Sequence, residues 1–194
     1  MNNRIIQLVL WLAILASGWY LVEIIMEPIR FNKKRDARYE KVIDRMMEIR
    51  TAQQAFKDVN GYFAGNFDQL TSFIDTGEFT ILQRRDTSFM AYDPVYRTDL
   101  LKDSIVVDTL GFVSIKDSLF SETNLSQLKY IPGTDQATFV LDAGQIDRQG
   151  YSVPVMRVIA PKEVILKGLS KNLIKDEEDL ILGSLSEANL SGNW

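Results

Sequence analysis

The chain has 194 residues, 46% of them hydrophobic and 25% charged, with a formal net charge of -4. These proportions fit one anchor plus one folded domain of common size, and the interleaved acids and bases lack the basic stripe that follows a phosphate backbone, so nucleic acid is not an expected partner. Cysteine and histidine are both absent. That removes disulfides, the usual zinc sites, cysteine nucleophiles and Ser-His-Asp triads, and leaves only carboxylate, lysine or tyrosine chemistry.

From Ile5 to Met26 the chain reads IIQLVLWLAILASGWYLVEIIM, interrupted only by Gln7 and Glu23. At about 1.5 Å per residue such a helix crosses a hydrocarbon core of roughly 30 Å. Residues 1–28 are therefore expected to be a membrane anchor, with Ile5, Leu8, Leu12, Leu15, Trp19, Leu21 and Ile25 among its lipid-facing side chains. The competing reading is a cleaved signal peptide, against which stand the length of the apolar run and the lack of a small-x-small cleavage site. Trp19 and Tyr20 suit an interfacial belt, and Glu23 is expected either to reach headgroups or to face a partner helix. Only Arg4 precedes the span, whereas Arg30, Lys33, Lys34, Arg35 and Arg38 follow it. The positive-inside rule then puts the remainder in the cytoplasm, but the same cations suit anionic headgroups, and long domains are exported regardless of flanking charge.

Pro28 lacks an amide donor and crowds the preceding turn, so it is expected to kink or end the membrane helix, with a second helix starting beyond it. In that second helix Tyr39, Val42, Met46, Ile49 and Phe56 recur at helical spacing, which predicts one buried face. The simplest reading is the core face of a spine helix; the alternative is a coiled-coil-like seam with another subunit. Asn60-Gly61 suits a helix end, and Asn66 suits the N-cap of a short helix through Phe67, Leu70, Phe73 and Ile74 that folds back on the first. Residues 29–77 thus form a helical pair.

Residues 78–194 are expected to be the β-rich part of the same domain, with strands at Phe79–Leu82, Ile105–Asp108, Phe112–Ile115, Thr138–Leu141 and Val153–Ile159 in one small antiparallel sheet. Leu110-Gly111 and residues 147–150 are expected hairpin connections, Tyr92–Leu101 an expected loop, and Pro154 an expected edge or bulge position. After Pro161, KEVILKGL reads as a short helix or an edge strand, and the terminal SLSEANLSGNW either docks its tryptophan or frays.

The order of parts, an apolar N-terminal helix, a proline near its exit, an amphipathic continuation and then AQQAFKDVNGYFAGNFDQLTSFI, resembles the type IV pilin and type II secretion pseudopilin families. Ala52, Ala55, Asn60, Gly61, Tyr62 and Leu70 carry the resemblance, over roughly the first third of the chain. It implies a long helix that is half anchor and half spine for a small antiparallel sheet, and a periplasmic domain on a bacterial inner membrane. The families' basic leader ending in glycine and their acidic residue near the start of the mature helix have no counterpart, since Glu23 lies at the far end of the span. An uncleaved accessory subunit is the expectation, with an unrelated anchored protein as the alternative.

No phosphate-cradling or nucleophile motif is present, and the acidic run Asp176–Asp179 reads as a solvated charge run in preference to a Ca²⁺ cage, because adjacent carboxylates diverge. No cofactor, metal or catalytic residue is expected. The expected class is α+β: a transmembrane helix continuing into an amphipathic spine packed on a small antiparallel β-sheet. The expected function is a non-enzymatic, single-pass subunit of a bacterial envelope assembly that contacts the bilayer and other membrane or envelope proteins, as a homo- or hetero-oligomer. The alternative is a membrane-tethered ligand-binding or sensor module that uses the loops at Tyr92–Lys102 and Gly144–Tyr151.

Overall fold

Helix α1 runs from Asn2 to Asn60 without a break and carries Pro28 inside it. The structure, a computed structural model, describes residues 2–95, 97–121 and 124–194, and of residues 2–5, Asp93 and Lys102 the backbone alone. Of the two expectations for Pro28, a kink or an end, the end with a second helix beyond it is corrected: the helix continues through Pro28. Proline deletes a single donor to the carbonyl four residues back, and helix-forming flanks such as LVEIIM and RFNKKRDARYEK propagate on both sides of that one missing bond. The helix stops where its sequence supplies a left-handed residue: Gly61, at φ 80°, donates its N–H to the Lys57 carbonyl at 2.7 Å.

The chain folds as two compact units, one of residues up to Thr51 with Gln127–Trp194, the other Ala52–Ser126. In the first, α1 buries Phe31, Val42, Met46 and Ile49. A three-stranded antiparallel sheet in the order β3-β4-β5 contributes a further part of that core, with strands β3 (Val140–Arg148), β4 (Tyr151–Ala160) and β5 (Leu180–Ser184). Val155, Met156, Val158 and Ala160 of β4 and Leu180 and Leu182 of β5 are all buried. The β3–β4 connection is the tight turn expected, closed by Gln149 and Gly150 at φ 54° and 84°, a pair of left-handed residues that matches the strand twist. Asp147 accepts the Gly150 N–H at 2.8 Å. Pro154 stands opposite Gln145, before the β4–β5 ladder begins at Met156 and Ser184, so it lies where β4 has a neighbour on one side only.

Between β4 and β5 the chain forms α4 (Lys162–Ile165) and α5 (Lys171–Lys175), which settles the choice between helix and edge strand after Pro161. Strand β5 is an addition to the expected set. The terminal segment docks along it: Asn193 accepts from the Ile181 N–H at 3.0 Å through its side chain and donates to the Asp179 carbonyl at 2.9 Å.

The second unit holds the end of α1, helix α2 (Phe67–Thr76), strands β1 (Glu78–Asp93) and β2 (Thr98–Ser114), and the short α3 (Ile115–Leu119). Asn66 caps α2 as expected, accepting the Gln69 N–H at 2.7 Å. Phe56 meets Phe73 edge-on at 4.9 Å between ring centroids, which joins the two helices of the pair. Gln53, fully buried, closes the intervening loop by donating to the Ala64 carbonyl at 3.0 Å and accepting the Ala64 N–H at 2.9 Å. The packed αα unit is therefore as read.

The β part departs from the reading in a physical way. Instead of one sheet of short strands there are two sheets, and the second is a two-stranded antiparallel ribbon of 16 and 17 residues. Phe79–Leu82, Ile105–Asp108 and Phe112–Ser114 are pieces of these two strands. Leu110-Gly111 is no hairpin connection. Ile81 pairs with Gly111 and Leu82 with Thr109, which leaves Leu110 as the extra residue of a β-bulge. The expected loop at Tyr92–Leu101 shrinks to residues 94–97, because the strands pair up to Asp93–Thr98; Tyr96 lies outside the described residues.

Candidate functional site

Among the described side chains of the apolar half of α1, none is buried. Leu8, Leu12, Leu15, Trp19, Leu21 and Ile25 are all at least 59% exposed, and their apolar neighbours on the other faces of the helix are exposed too, for example Ile24 at 50% and Trp11 at 67%. The side chain of Ile5, the first of the expected anchor residues, lies outside the described ones. One helix of this chain is thus long and apolar enough, near the N-terminus, to cross a membrane, and no part of that apolar window is buried inside the protein. Apolar residues on every side of a helix leave it no polar face to turn to water.

Where the apolar run stops, the helix changes role within two turns. Glu23 pairs with Arg30 along the same helix at 3.3 Å. Glu27 accepts a hydrogen bond from the Ser170 hydroxyl at 2.9 Å, which holds the α4–α5 connection beside the helix at the end of the apolar run. Two turns on, Arg35 makes a 2.6 Å ion pair with Glu177, the two side chains 25% and 19% exposed, and also pairs with Asp36. The hydrogen bond to Glu177 raises the Arg35 pKa further above its ordinary value, with burial opposing. Arg38 donates to the Ile165 and Lys167 carbonyls at 2.8 and 3.0 Å, which satisfies acceptors left open at the end of the four-residue α4. Tyr39 reaches the Glu178 carbonyl at 3.5 Å, and burial, with the Glu177 charge next, pushes its phenol up to about 12.

Three of the five post-span cations, Arg30, Arg35 and Arg38, have partners within the chain. This clasp also absorbs two carboxylates of the acidic run, since Glu177 pairs with Arg35 and Asp179 accepts the Lys162 N–H at 2.8 Å. Among the described residues no group of three or more acidic side chains is gathered as metal ligation would need.

The face Tyr39, Val42, Met46, Ile49 and Phe56 resolves in favour of the core. Val42, Met46 and Ile49 are fully buried and Phe56 nearly so, with only Tyr39 half-buried, so the chain's own fold already occupies the surface that a subunit seam would need. Helical periodicity cannot distinguish the two, because both require the same stripe.

A cavity of about 550 Å³ lies by α4 and α5, and Lys162, Glu163, Lys167, Lys171, Ile174 and Lys175 are among the residues that line it. Two of its ammonium groups are already engaged, Lys162 on the Lys175 and Glu177 carbonyls and Lys167 on Asp135 at 3.0 Å. A second cavity, about 370 Å³, opens on the clasp itself at Arg35, Tyr39 and the acidic run. Neither these nor the cavities at Arg45, at Asp86 and at Glu27 are lined by Tyr92–Lys102 or Gly144–Tyr151, the loops expected of a sensor module; both turn out to be hairpin ends. No protein-family model, curated protein or solved structure matches this chain.

Proposed function

We propose that this protein is a single-pass, non-enzymatic membrane subunit that positions a folded domain at the bilayer surface for contacts with other envelope proteins. The observation that carries the reading is the pairing of a bare apolar helix with a clasp at its exit. Exposing so many large apolar side chains to water opposes folding by roughly 25 cal/mol per Å², whereas hydrocarbon removes that cost. The clasp from Glu27 to Tyr39 then ties the domain to the helix at the point of exit. Confinement to two dimensions raises the effective concentration of the domain for partners in the same membrane.

The pilin-like layout is supported by the unbroken passage of α1 from apolar run to buried spine. We place the domain outside the cytoplasm of a bacterial inner membrane, since the clasp supplies a reason for Arg30, Arg35 and Arg38 other than topology. The test is extraction of membranes with carbonate together with a reporter fused after Trp194. Retention in the membrane with activity of a reporter that works only outside the cytoplasm is the expected result. Release by carbonate overturns the anchor, and activity of a cytoplasmic reporter overturns the pilin-like reading.

A further inference from the structure

The ribbon β1–β2 is a long element with very little to hold it. At about 3.3 Å per residue its strands extend roughly 50 Å, and two strands alone are marginal in water. Every residue from Leu82 to Met90 is exposed, and so are Leu100, Leu101, Ile105, Val106, Val107 and Leu110 on the facing strand. Among the described residues neither outer edge of the ribbon pairs with a further strand, since the sheet contains β1 and β2 only.

The two edges differ in chemistry. The middle of β1 reads Gln83-Arg84-Arg85-Asp86, a charged stretch of the kind that keeps edges from pairing. The middle of β2 reads Ser104-Ile105-Val106-Val107, with no charge between Asp103 and Asp108 and three successive β-branched residues 48%, 39% and 54% exposed. That is an unguarded edge of high strand propensity.

We propose that the free edge of β2 pairs antiparallel with β2 of a second copy of this chain, centred on Val106, to make a four-stranded sheet in the order β1-β2-β2-β1. The inference goes beyond the membrane reading and needs no part of it. A two-fold axis between antiparallel copies sets one residue opposite itself and makes every other contact reciprocal. With Val106 on the axis, the midpoint of Thr98–Ser114, the two strands overlap along their whole length. Ile105 then faces Val107 of the other copy, Ser104 faces Asp108 and Asp103 faces Thr109, so the apolar centre meets itself and no carboxylate opposes a carboxylate. The middle of the β1 edge is less suited: registers centred on Arg84, Arg85 or Asp86 set like charges face to face, which is destabilising.

The absence of cysteine makes the test clean. In the full chain, in detergent and in membranes, Val106→Cys is expected to form a disulfide-linked dimer on mild oxidation, because directly opposed Cα atoms sit about 4.5–5.5 Å apart, within disulfide reach. Arg85→Cys is the control. It lies across the ladder from Val106, and its own copy is three strand spacings away, about 14 Å, so no disulfide-linked dimer is expected from it. In the untreated protein, Val106→Lys is expected to shift the dimer to monomer while thermal unfolding stays within a few degrees, since this side chain is already partly in water. Equal cross-linking at both positions, cross-linking at Arg85→Cys alone, a Val106→Cys adduct with a different protein, or a monomer throughout overturns the proposal.

Discussion

The two sheets of this protein are built from similar residues and live in opposite environments. In the three-stranded sheet, β4 buries Val155, Met156, Val158 and Ala160, and β5 buries Leu180 and Leu182. In the ribbon, Met90 is 68% and Leu101 66% exposed. Strand propensity is met in both, so propensity does not decide what a sheet contributes to stability; the presence of something to cover it does. The first sheet supplies core to its unit, and the second is held at its base and presents side chains and backbone edges to whatever comes near.

The sharpest way to break that comparison is to put the same charge into each sheet. Val158→Asp is expected to unfold the first unit, because a carboxylate with no partner in a fully buried position costs several kcal/mol, on the order of the stability of a domain. Met90→Asp is expected to change stability by less than about 1 kcal/mol. Thermal unfolding of the full chain in detergent reads both, and equal losses would mean that the ribbon is covered after all.

A smaller effect comes from adding one methyl group to a glycine in each sheet. Gly183 of β5 has φ 78°, and a Cβ there would run into the Met156 carbonyl oxygen. Gly183→Ala therefore combines backbone strain with a clash and is expected to cost about 2 kcal/mol. Gly111 at the ribbon's bulge has a negative φ and nothing within 4 Å of the same position. Gly111→Ala is expected to be neutral or stabilising by up to about 0.5 kcal/mol, since the unfolded chain loses freedom. Urea midpoints of the two variants check the difference. A loss at Gly111 equal to that at Gly183 would show that the ribbon's free edge is filled.

What the sequence made legible follows the same division. The stripe at Val42, Met46 and Ile49, the end at Gly61, the cap at Asn66 and the turn at Gln149-Gly150 are readable because each is a local pattern with a local cause: burial period, left-handed conformation, side-chain acceptor. The ribbon was legible only in fragments, since Gln83–Ser88 has no alternation to signal a covered face and Asp93-Pro94 reads as a loop when it is only a turn. Strand β5 hid behind the acidic run, with Gly183 as its fourth of five residues. The clasp was unreadable for a different reason. It joins Arg35 and Arg38 to residues more than 120 positions later, and no spacing rule links such partners.

The clasp supplies the smallest and most specific contrast between the two regions, through Tyr39. Its phenol is raised to about 12 from an ordinary value near 10, first by burial and then by the Glu177 charge, so the folded form holds this proton more tightly than the unfolded form. The stability it contributes is present in full below pH 10 and is lost as pH climbs through 12. Solvent screening of a half-buried group keeps the loss under about 1 kcal/mol. Urea titrations at pH 8 and at pH 11 are expected to show a fall in the first unit that Tyr39→Phe reduces, since phenylalanine has no proton to lose. The ribbon's backbone pairing is expected to give the same Val106→Cys cross-linking yield before and after the alkaline step once both samples are oxidised at pH 8. A Tyr39→Phe variant as sensitive to alkali as the parent would mean that the phenol does not bear on the seam between α1 and the chain at Glu177–Glu178, and that Arg35 and Arg38 carry it alone.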